Sequence, residues 1–369
     1  MTSAARIPFA ELRPGRDRGD VAQAIERVLA SGWFVLGPEV EAFEAEFAAA
    51  SGAAHAVGVA SGTDAIALAL RALDIGPGDE VIVPAMTAAF TGLAVASIGA
   101  APVIVDVDPR TLTMDAGACA AALSPRTRAV VPVHLYGQPA DIDGLLALAS
   151  RHGLAVVEDC CQAHLATNGG VPVGTAGAAG AFSFYPTKNL GALGDGGAVV
   201  TNDAALADRV RRLRNGGQAG RYHHVEPGVN SRLDELQAAV LRVRLPGLAE
   251  ATAVRRDLAR TYRQRLGGVV TPIVERDPGH VYHLFPVRSP ERDTLMAFLG
   301  ERGIETLVHY PVPLSSQPAF ARYDPRACPV AEHAAAELLS LPLNPRLSRE
   351  DVTRVADTVN EFSGRRGNA

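Results

Sequence analysis

Apolar positions follow a helical spacing at the start of the chain and then change rhythm. Val21, Ile25, Val28 and Leu29 fall on one helical face, and Gly32 stops the run. Pro38 opens a second amphipathic helix carrying Val40, Phe43 and Phe47. From Ala56 onward, short apolar runs alternate with helical ones. Strands are predicted over 56–59, 80–83, 102–105, 129–133 and 154–158, with helices over 64–73, 88–98, 115–123 and 141–152 between them. Two more strands follow over 181–185 and 198–201, then helices over 204–214, 231–245 (ended by Pro246) and 250–266. The remainder mixes strands over 269–274 and 281–287 with a helix over 291–302. A last helix is announced by the capping-box-like Ser348-Arg349-Glu350-Asp351.

Apolar strands separated by helices imply an α/β fold with a mostly parallel sheet covered on both faces. The pattern divides into a large α/β unit with N-terminal helices, 1–249, and a smaller C-terminal α+β unit, 250–369. In such sheets, functional groups gather at the C-terminal ends of the strands. Ser61-Gly62-Thr63 and Asp159 both fall there.

Hydrophobic content of 47% and charged content of 20% describe a globular chain. A net charge of −5 and 5% aromatics argue against a nucleic-acid partner. No signal-peptide-like start and no apolar run of membrane-spanning length is present, so no membrane partner and a cytoplasmic location are expected. Cys119, Cys160, Cys161 and Cys328 lack metal-site or CxxC spacing, and no metal is expected.

Lys188 changes the picture. Lysine and arginine together number 35, and Lys188 is the only lysine among them. An arginine cannot lose its proton near neutral pH and attack a carbonyl, whereas a desolvated lysine can. Lys188 is either that amine or an ordinary surface lysine, and its surroundings decide. It lies in a loop with Gly191, Gly194, Gly196 and Gly197, which lets backbone approach a ligand. Ser61-Gly62-Thr63 at a helix start is an anion site or a plain N-cap. Asp159 with Gln162 is a turn pair, or an acid for a protonated pyridine nitrogen with a donor for the ring's phenolic oxygen. Ser183 alternates with Phe182 and Phe184 and so faces the opposite way, where it could add a phosphate donor. Imine-forming amine, ring-nitrogen acid and phosphate cradle together suit pyridoxal phosphate. No G-x-G-x-x-G follows the first strand, which removes a dinucleotide reading.

Longer motifs carry the same message. They are Ser31-Gly32-Trp33 with Leu36-Gly37-Pro38, Ser61-Gly62-Thr63, Glu158-Asp159 with Gln162-Ala163-His164, and Phe184-Tyr185-Pro186-Thr187-Lys188-Asn189-Leu190-Gly191. Further on come Gly194-Asp195-Gly196-Gly197, Arg221-Tyr222-His223-His224, Asn230-Ser231-Arg232-Leu233-Asp234-Glu235-Leu236-Gln237, Val281-Tyr282-His283-Leu284 and His309-Tyr310-Pro311. Along nearly its whole length the chain resembles the nucleotide-sugar aminotransferases of the DegT/DnrJ/EryC1/StrS type, which depend on pyridoxal phosphate.

The resemblance implies the aspartate aminotransferase (fold type I) fold and a homodimer with shared active sites. It implies that Lys188 is the Schiff-base lysine and that Asp159 pairs with the ring nitrogen. Gln162 would meet the ring oxygen, and Gly62, Thr63 and Ser183 would hold the phosphate. Asn230 would reach the phosphate from the neighbouring subunit. Tyr185, His309, Tyr310 and, across the interface, Arg221 would lie near the sugar nucleotide. The expected reaction carries an amino group from L-glutamate, through the pyridoxamine form, to a 3-keto-6-deoxyhexose on dTDP. A 4-keto sugar, a ketocyclitol, or a non-catalytic regulator on the same fold are the alternatives. Sugar dehydratases of the family carry His in place of the lysine, and Lys188 argues against them. Ala88 departs from relatives that place a ring-stacking aromatic there. His164 is expected to be a buried, hydrogen-bonded structural residue.

Overall fold

Apolar runs of four or five residues, buried on both faces, form strands only if helices cover both sides of the sheet. In the computed structural model, which describes residues 6–366, helices α1 (Arg18–Ser31) and α2 (Pro38–Ser51) come first. The alternation then runs β1 (His55–Val59), α3 (Gly62–Ala72), β2 (Glu80–Pro84), α4 (Phe90–Ser97), β3 (Ala101–Val105), α5 (Ala116–Ala121), β4 (Thr127–Val130), α6 (Ile142–His152) and β5 (Ala155–Asp159). A small hairpin of β6 (Thr167–Asn168) and β7 (Val171–Pro172) leads to β8 (Ala179–Ser183), β9 (Gly197–Thr201) and α7 (Ala204–Leu213). A second hairpin, β10 (Gln218–Gly220) and β11 (His223–His224), precedes α8 (Glu235–Arg244) and α9 (Leu248–Arg265). The chain continues through β12 (Thr271–Pro272), β13 (Phe285–Arg288), α10 (Arg292–Glu301), α11 (Pro329–Glu337), β14 (Leu338–Leu341) and α12 (Arg349–Arg366).

The central sheet has the order β1-β9-β8-β5-β4-β2-β3. Only β9 runs against its neighbours; the other pairings are parallel. The mostly parallel sheet expected from the sequence is therefore present. Because β1, β2, β4, β5 and β8 point the same way, the starts of α3 and α4, Asp159 and Ser183 collect along one edge.

On one face, α3, α4 and α7 close the core around Leu68, Leu70 and Val210. On the other, Phe43 and Phe47 of α2 meet Phe182 and Phe184 edge to face, with ring centroids 5.1–5.2 Å apart. The three-stranded sheet β12-β13-β14 has its own core with α9, α10 and α12, which Ile7 joins from the N-terminal side.

Several predicted elements are shorter than their apolar runs. The strands expected over 269–274 and 281–287 reduce to β12 and β13, and β4 ends at Val130. The Ser348 box is found: the Ser348 hydroxyl donates to Asp351 Oδ2 at 2.7 Å and accepts the Asp351 N–H at 3.1 Å.

The helix expected over 231–245 starts only at Glu235, because the residues before it serve neighbouring segments. The Ser231 hydroxyl donates to Asp64 at 2.7 Å and accepts the Ala60 N–H at 3.1 Å. The buried Glu235 carboxylate accepts the N–H groups of Gly37, Glu39 and Val40, each at 2.9 Å. A distant carboxylate thus caps α2, whose own Gly37 has no side chain to do so. Glu235→Ala leaves three donors without an acceptor and lowers stability by about 2–4 kcal/mol, read from urea denaturation. A loss below about 1 kcal/mol would show that water replaces the carboxylate.

Candidate active site

The start of α3 supplies open donors. Ser61 caps it, its hydroxyl accepting the Asp64 N–H at 3.1 Å. The Gly62 and Thr63 N–H groups have no acceptor within the helix, and none meets them elsewhere among the described residues. Gly62 is required by close approach: a Cβ there would lie 2.6 Å from Cys161 Sγ and 2.7 Å from Ser183 Cβ. That contact seats the helix start on the end of β8. The Ser183 hydroxyl accepts the Tyr185 N–H at 3.3 Å and keeps its own hydrogen to donate. Two open main-chain donors, neighbouring hydroxyls and the positive end of a helix are groups that could hold a phosphate.

Asp159 ends β5 and is buried. Its Oδ1 accepts the Cys161 N–H at 3.1 Å, and its Oδ2 accepts the Thr91 hydroxyl at 2.8 Å. Lys188 sits in the turn after β8, its N–H bonded to the Tyr185 carbonyl at 2.8 Å. Its Nζ makes no hydrogen bond or ion pair among the described residues, although Cys161 and Asp159 are close enough to act on it electrostatically. Burial pushes its pKa below the ordinary lysine value, against the opposing pull of Cys161 and Asp159. An unpaired amine shifted towards its neutral form is suited to nucleophilic attack.

Three histidines lie close enough to Lys188 to feel its charge. Burial, then the Lys188 charge, lowers His164 to about 3 and His309 to about 4, and lowers His283 in the same way. His164 meets half of its expectation, being buried but not hydrogen-bonded. It packs against Phe182 and Phe184 with the Ser183 main chain near its ring, yet neither ring nitrogen makes a hydrogen bond of normal geometry among the described residues.

Gln162 is held in a defined orientation. Its Oε1 accepts the Tyr136 N–H at 2.7 Å and its Nε2 donates to the Tyr310 hydroxyl at 2.8 Å. Tyr136, in the left-handed region at φ 61°, also donates its hydroxyl to the His309 carbonyl at 2.6 Å. Tyr136, in the connection after β4, therefore fixes both Gln162 and the His309-Tyr310 segment. Sequence reading missed Tyr136, Thr91 and Cys161. Their only signal is position, in the connections or the helix start that follow β4, β2 and β5.

The remaining candidates stand apart. Tyr185 is exposed. Arg221 is exposed on the β10–β11 hairpin and lies over the Tyr222 ring. Asn230 is exposed and bridges to Asn215 through its main chain. Neither Arg221 nor Asn230 hydrogen-bonds the Lys188 cluster among the described residues. Phe90, the aromatic nearest Ala88 in sequence, is 63% exposed.

Beneath the site, Glu158 is fully buried and accepts four donors. These are the Ala176 and Gly177 N–H groups on Oε1, at 3.0 and 2.9 Å, and the Gly174 N–H and His134 Nε2 on Oε2, at 2.8 and 3.0 Å. His134, Glu158 and Cys160 come within metal-ligand reach of one another, but the carboxylate has no lone pair left for a cation.

The amine, the acid and the cradle match pyridoxal phosphate in chemistry, and comparison with known proteins agrees. The profile of the DegT/DnrJ/EryC1/StrS aminotransferase family matches residues 16–360. A Streptomyces venezuelae protein, dTDP-3-amino-3,4,6-trideoxy-alpha-D-glucose transaminase, is 50% identical over 367 residues, covering 98% of this chain and 97% of its own. The UDP-N-acetyl-3-dehydro-alpha-D-glucosamine 3-aminotransferase of Acidithiobacillus ferrooxidans is 48% identical over 365 residues, covering 97% and 98%. Among solved structures, S. venezuelae DesV in complex with a ketimine intermediate superposes with a TM-score of 0.95 at 50% identity, covering 98% of this chain and 99% of that one. Bacillus subtilis NtdA with bound PMP gives a TM-score of 0.91 at 30% identity, covering 99% and 86%. The chain belongs to the DegT/DnrJ/EryC1/StrS aminotransferase family, whose enzymes work with pyridoxal phosphate.

Proposed function

We propose that the protein transfers an amino group from L-glutamate to a 3-keto-6-deoxyhexose carried on dTDP, for deoxyamino sugar synthesis, as a cytoplasmic homodimer. The observation that carries the aminotransferase reading is the unpaired Lys188 amine beside Asp159 and the open start of α3. The acceptor class is supported by the Streptomyces relative, named for a 3-amino dTDP sugar. The similarly close Acidithiobacillus relative favours a second reading, a UDP-linked 3-keto sugar.

When bound, pyridoxal phosphate supplies a ring that takes up the electron pair left as the amino donor's α-carbon loses its proton. In this reading the Gly62 and Thr63 N–H groups and the Thr63 and Ser183 hydroxyls hold the phosphate. Asp159 holds the proton on the ring nitrogen. Gln162, with one N–H left after its bond to Tyr310, serves the ring's phenolic oxygen. The Lys188 Nζ anchors the cofactor and then moves the proton between carbon atoms. Unit 1–249 brings these groups, and unit 250–369 brings His309 and Tyr310, which with Tyr185 border the sugar nucleotide. Asn230 and Arg221 act across the dimer, a role supported by their exposure and by the exposed apolar residues Trp33, Phe34, Tyr222 and Val225.

Borohydride reduction of the pyridoxal phosphate-loaded protein is expected to fix the label on Lys188 alone, as seen by peptide mass spectrometry. Assays with L-glutamate against 3-keto and 4-keto dTDP sugars, a UDP-linked 3-keto sugar and a ketocyclitol then test the acceptor. Turnover restricted to the 4-keto sugar or the cyclitol would overturn the acceptor assignment. A protein that binds no cofactor would overturn the enzymatic reading in favour of a regulator.

A further inference from the structure

A carboxylate at a strand end can turn about its Cβ–Cγ bond unless donors fix it. Asp159 has one donor on each oxygen, and the two differ in kind. The Cys161 N–H on Oδ1 belongs to the turn that follows β5. The Thr91 hydroxyl on Oδ2 comes from a helix that starts beyond a different strand. Thr91 in turn lies 3.0 Å from the Thr87 hydroxyl. A hydroxyl has a single hydrogen, and that of Thr91 points to the carboxylate, so Thr87 is the donor between the two threonines. The chain Thr87 to Thr91 to Asp159 is one-way, and all three residues are buried. Linked donors in a dry site strengthen one another and hold the acceptor in one orientation. Each Asp159 oxygen keeps acceptor capacity for a further donor.

We propose that Thr91, backed by Thr87, is a positioning residue of the transamination site: its hydroxyl sets which lone pairs Asp159 presents to the cofactor's ring nitrogen. The proposal rests on the assignment of Asp159 to the ring nitrogen. A volume-filling side chain at position 91 would keep α4 packed and lose only this effect.

The test compares the full-length, pyridoxal phosphate-loaded wild type with Thr91→Val, Thr91→Ser, Thr87→Val and Asp159→Asn. The visible absorbance of the bound cofactor is titrated with pH, alongside kcat and KM for L-glutamate. Thr91→Val is expected to shift the midpoint of that titration and lower kcat by about tenfold to a hundredfold, with KM changed by less than about threefold. Thr91→Ser restores both, and Thr87→Val shifts the midpoint less, in the same direction. A wild-type titration in Thr91→Val would overturn the proposal. So would a kcat loss that Thr91→Ser does not rescue, which marks a packing role. Should Thr91→Val not fold, Thr87→Val decides, and an unmoved midpoint there counts against the chain. Asp159→Asn separates the two levels. If it leaves the wild-type spectrum unmoved, the Asp159 assignment itself fails; if it moves the spectrum and Thr91→Val does not, only the role of Thr91 fails.

Discussion

Lys188→Met abolishes transamination, with turnover falling by at least about 10⁴-fold, and at the same time raises the melting temperature of the cofactor-free protein. Both effects come from one amine. It makes no hydrogen bond or ion pair among the described residues, and burial holds its pKa below the ordinary lysine value. A folded-state pKa below the unfolded one means that the unfolded chain binds the proton more readily. Stability therefore rises with pH between the lowered pKa and the ordinary 10.5, and below that window the cost of the buried ammonium is fully present. Methionine has similar length without charge and removes the cost. Differential scanning calorimetry of the two apoproteins from neutral to alkaline pH checks this: the gap between them narrows as pH rises. Lys188→Arg is the control. It keeps a charge that cannot be shed, so it loses turnover without gaining stability. A Lys188→Met apoprotein less stable than wild type would mean that the amine is paired in solution. Turnover near wild type in either variant would remove Lys188 from the chemistry.

Reading the chain alone reached Lys188 because its composition singles it out, and Asp159 because an apolar strand ends there. The sheet was legible for the same reason: residues buried on both faces leave long apolar runs. What stayed hidden depends on pairs far apart in sequence. Thr91 lies 68 residues from Asp159, and the Tyr136 hydroxyl meets a carbonyl 173 residues away. A threonine within an apolar helix gives no periodic signal, and a tyrosine at positive φ gives none either. Glu235 reads as an ordinary residue of a helix, yet its carboxylate caps another helix 198 residues before it. Strand β14 escaped notice because Leu338-Leu339-Ser340-Leu341 follows α11 with no turn residue between them. The open α3 donors were visible only as an ambiguous Ser-Gly-Thr. Their meaning came from Ser183, which the contact at Gly62 places beside them.

Glu158→Gln is expected to cost about 3 kcal/mol or more of stability, although it changes one atom. Glu158 accepts four donors, two on each oxygen. An amide must turn its NH₂ towards one of those pairs. If Nε2 replaces Oε2, it meets the Gly174 N–H and the His134 Nε2–H. The histidine cannot relieve this by moving its hydrogen, because Nδ1 already accepts the Ala140 N–H at 3.0 Å. If the amide flips, the conflict moves to Ala176 and Gly177. Either way donors face donors in a buried site. The acid limb of stability carries the same signature. Burial alone would raise the Glu158 pKa, but the bonds from His134, Gly174 and Gly177 hold it below the model-peptide value of 4.5. A depressed carboxyl contributes stability that is fully present above 4.5 and fades as pH falls through the folded-state pKa. The gap between wild type and Glu158→Gln is therefore constant near neutrality and closes in acid, which urea melts from pH 7 to pH 3 would record. A gap that stays open at low pH would assign the cost to altered packing. Since Glu158 precedes Asp159 on β5 and pins the 174–177 loop, the variant also loosens the Asp159 carboxylate beside Lys188. Turnover then falls even at temperatures where the variant remains folded.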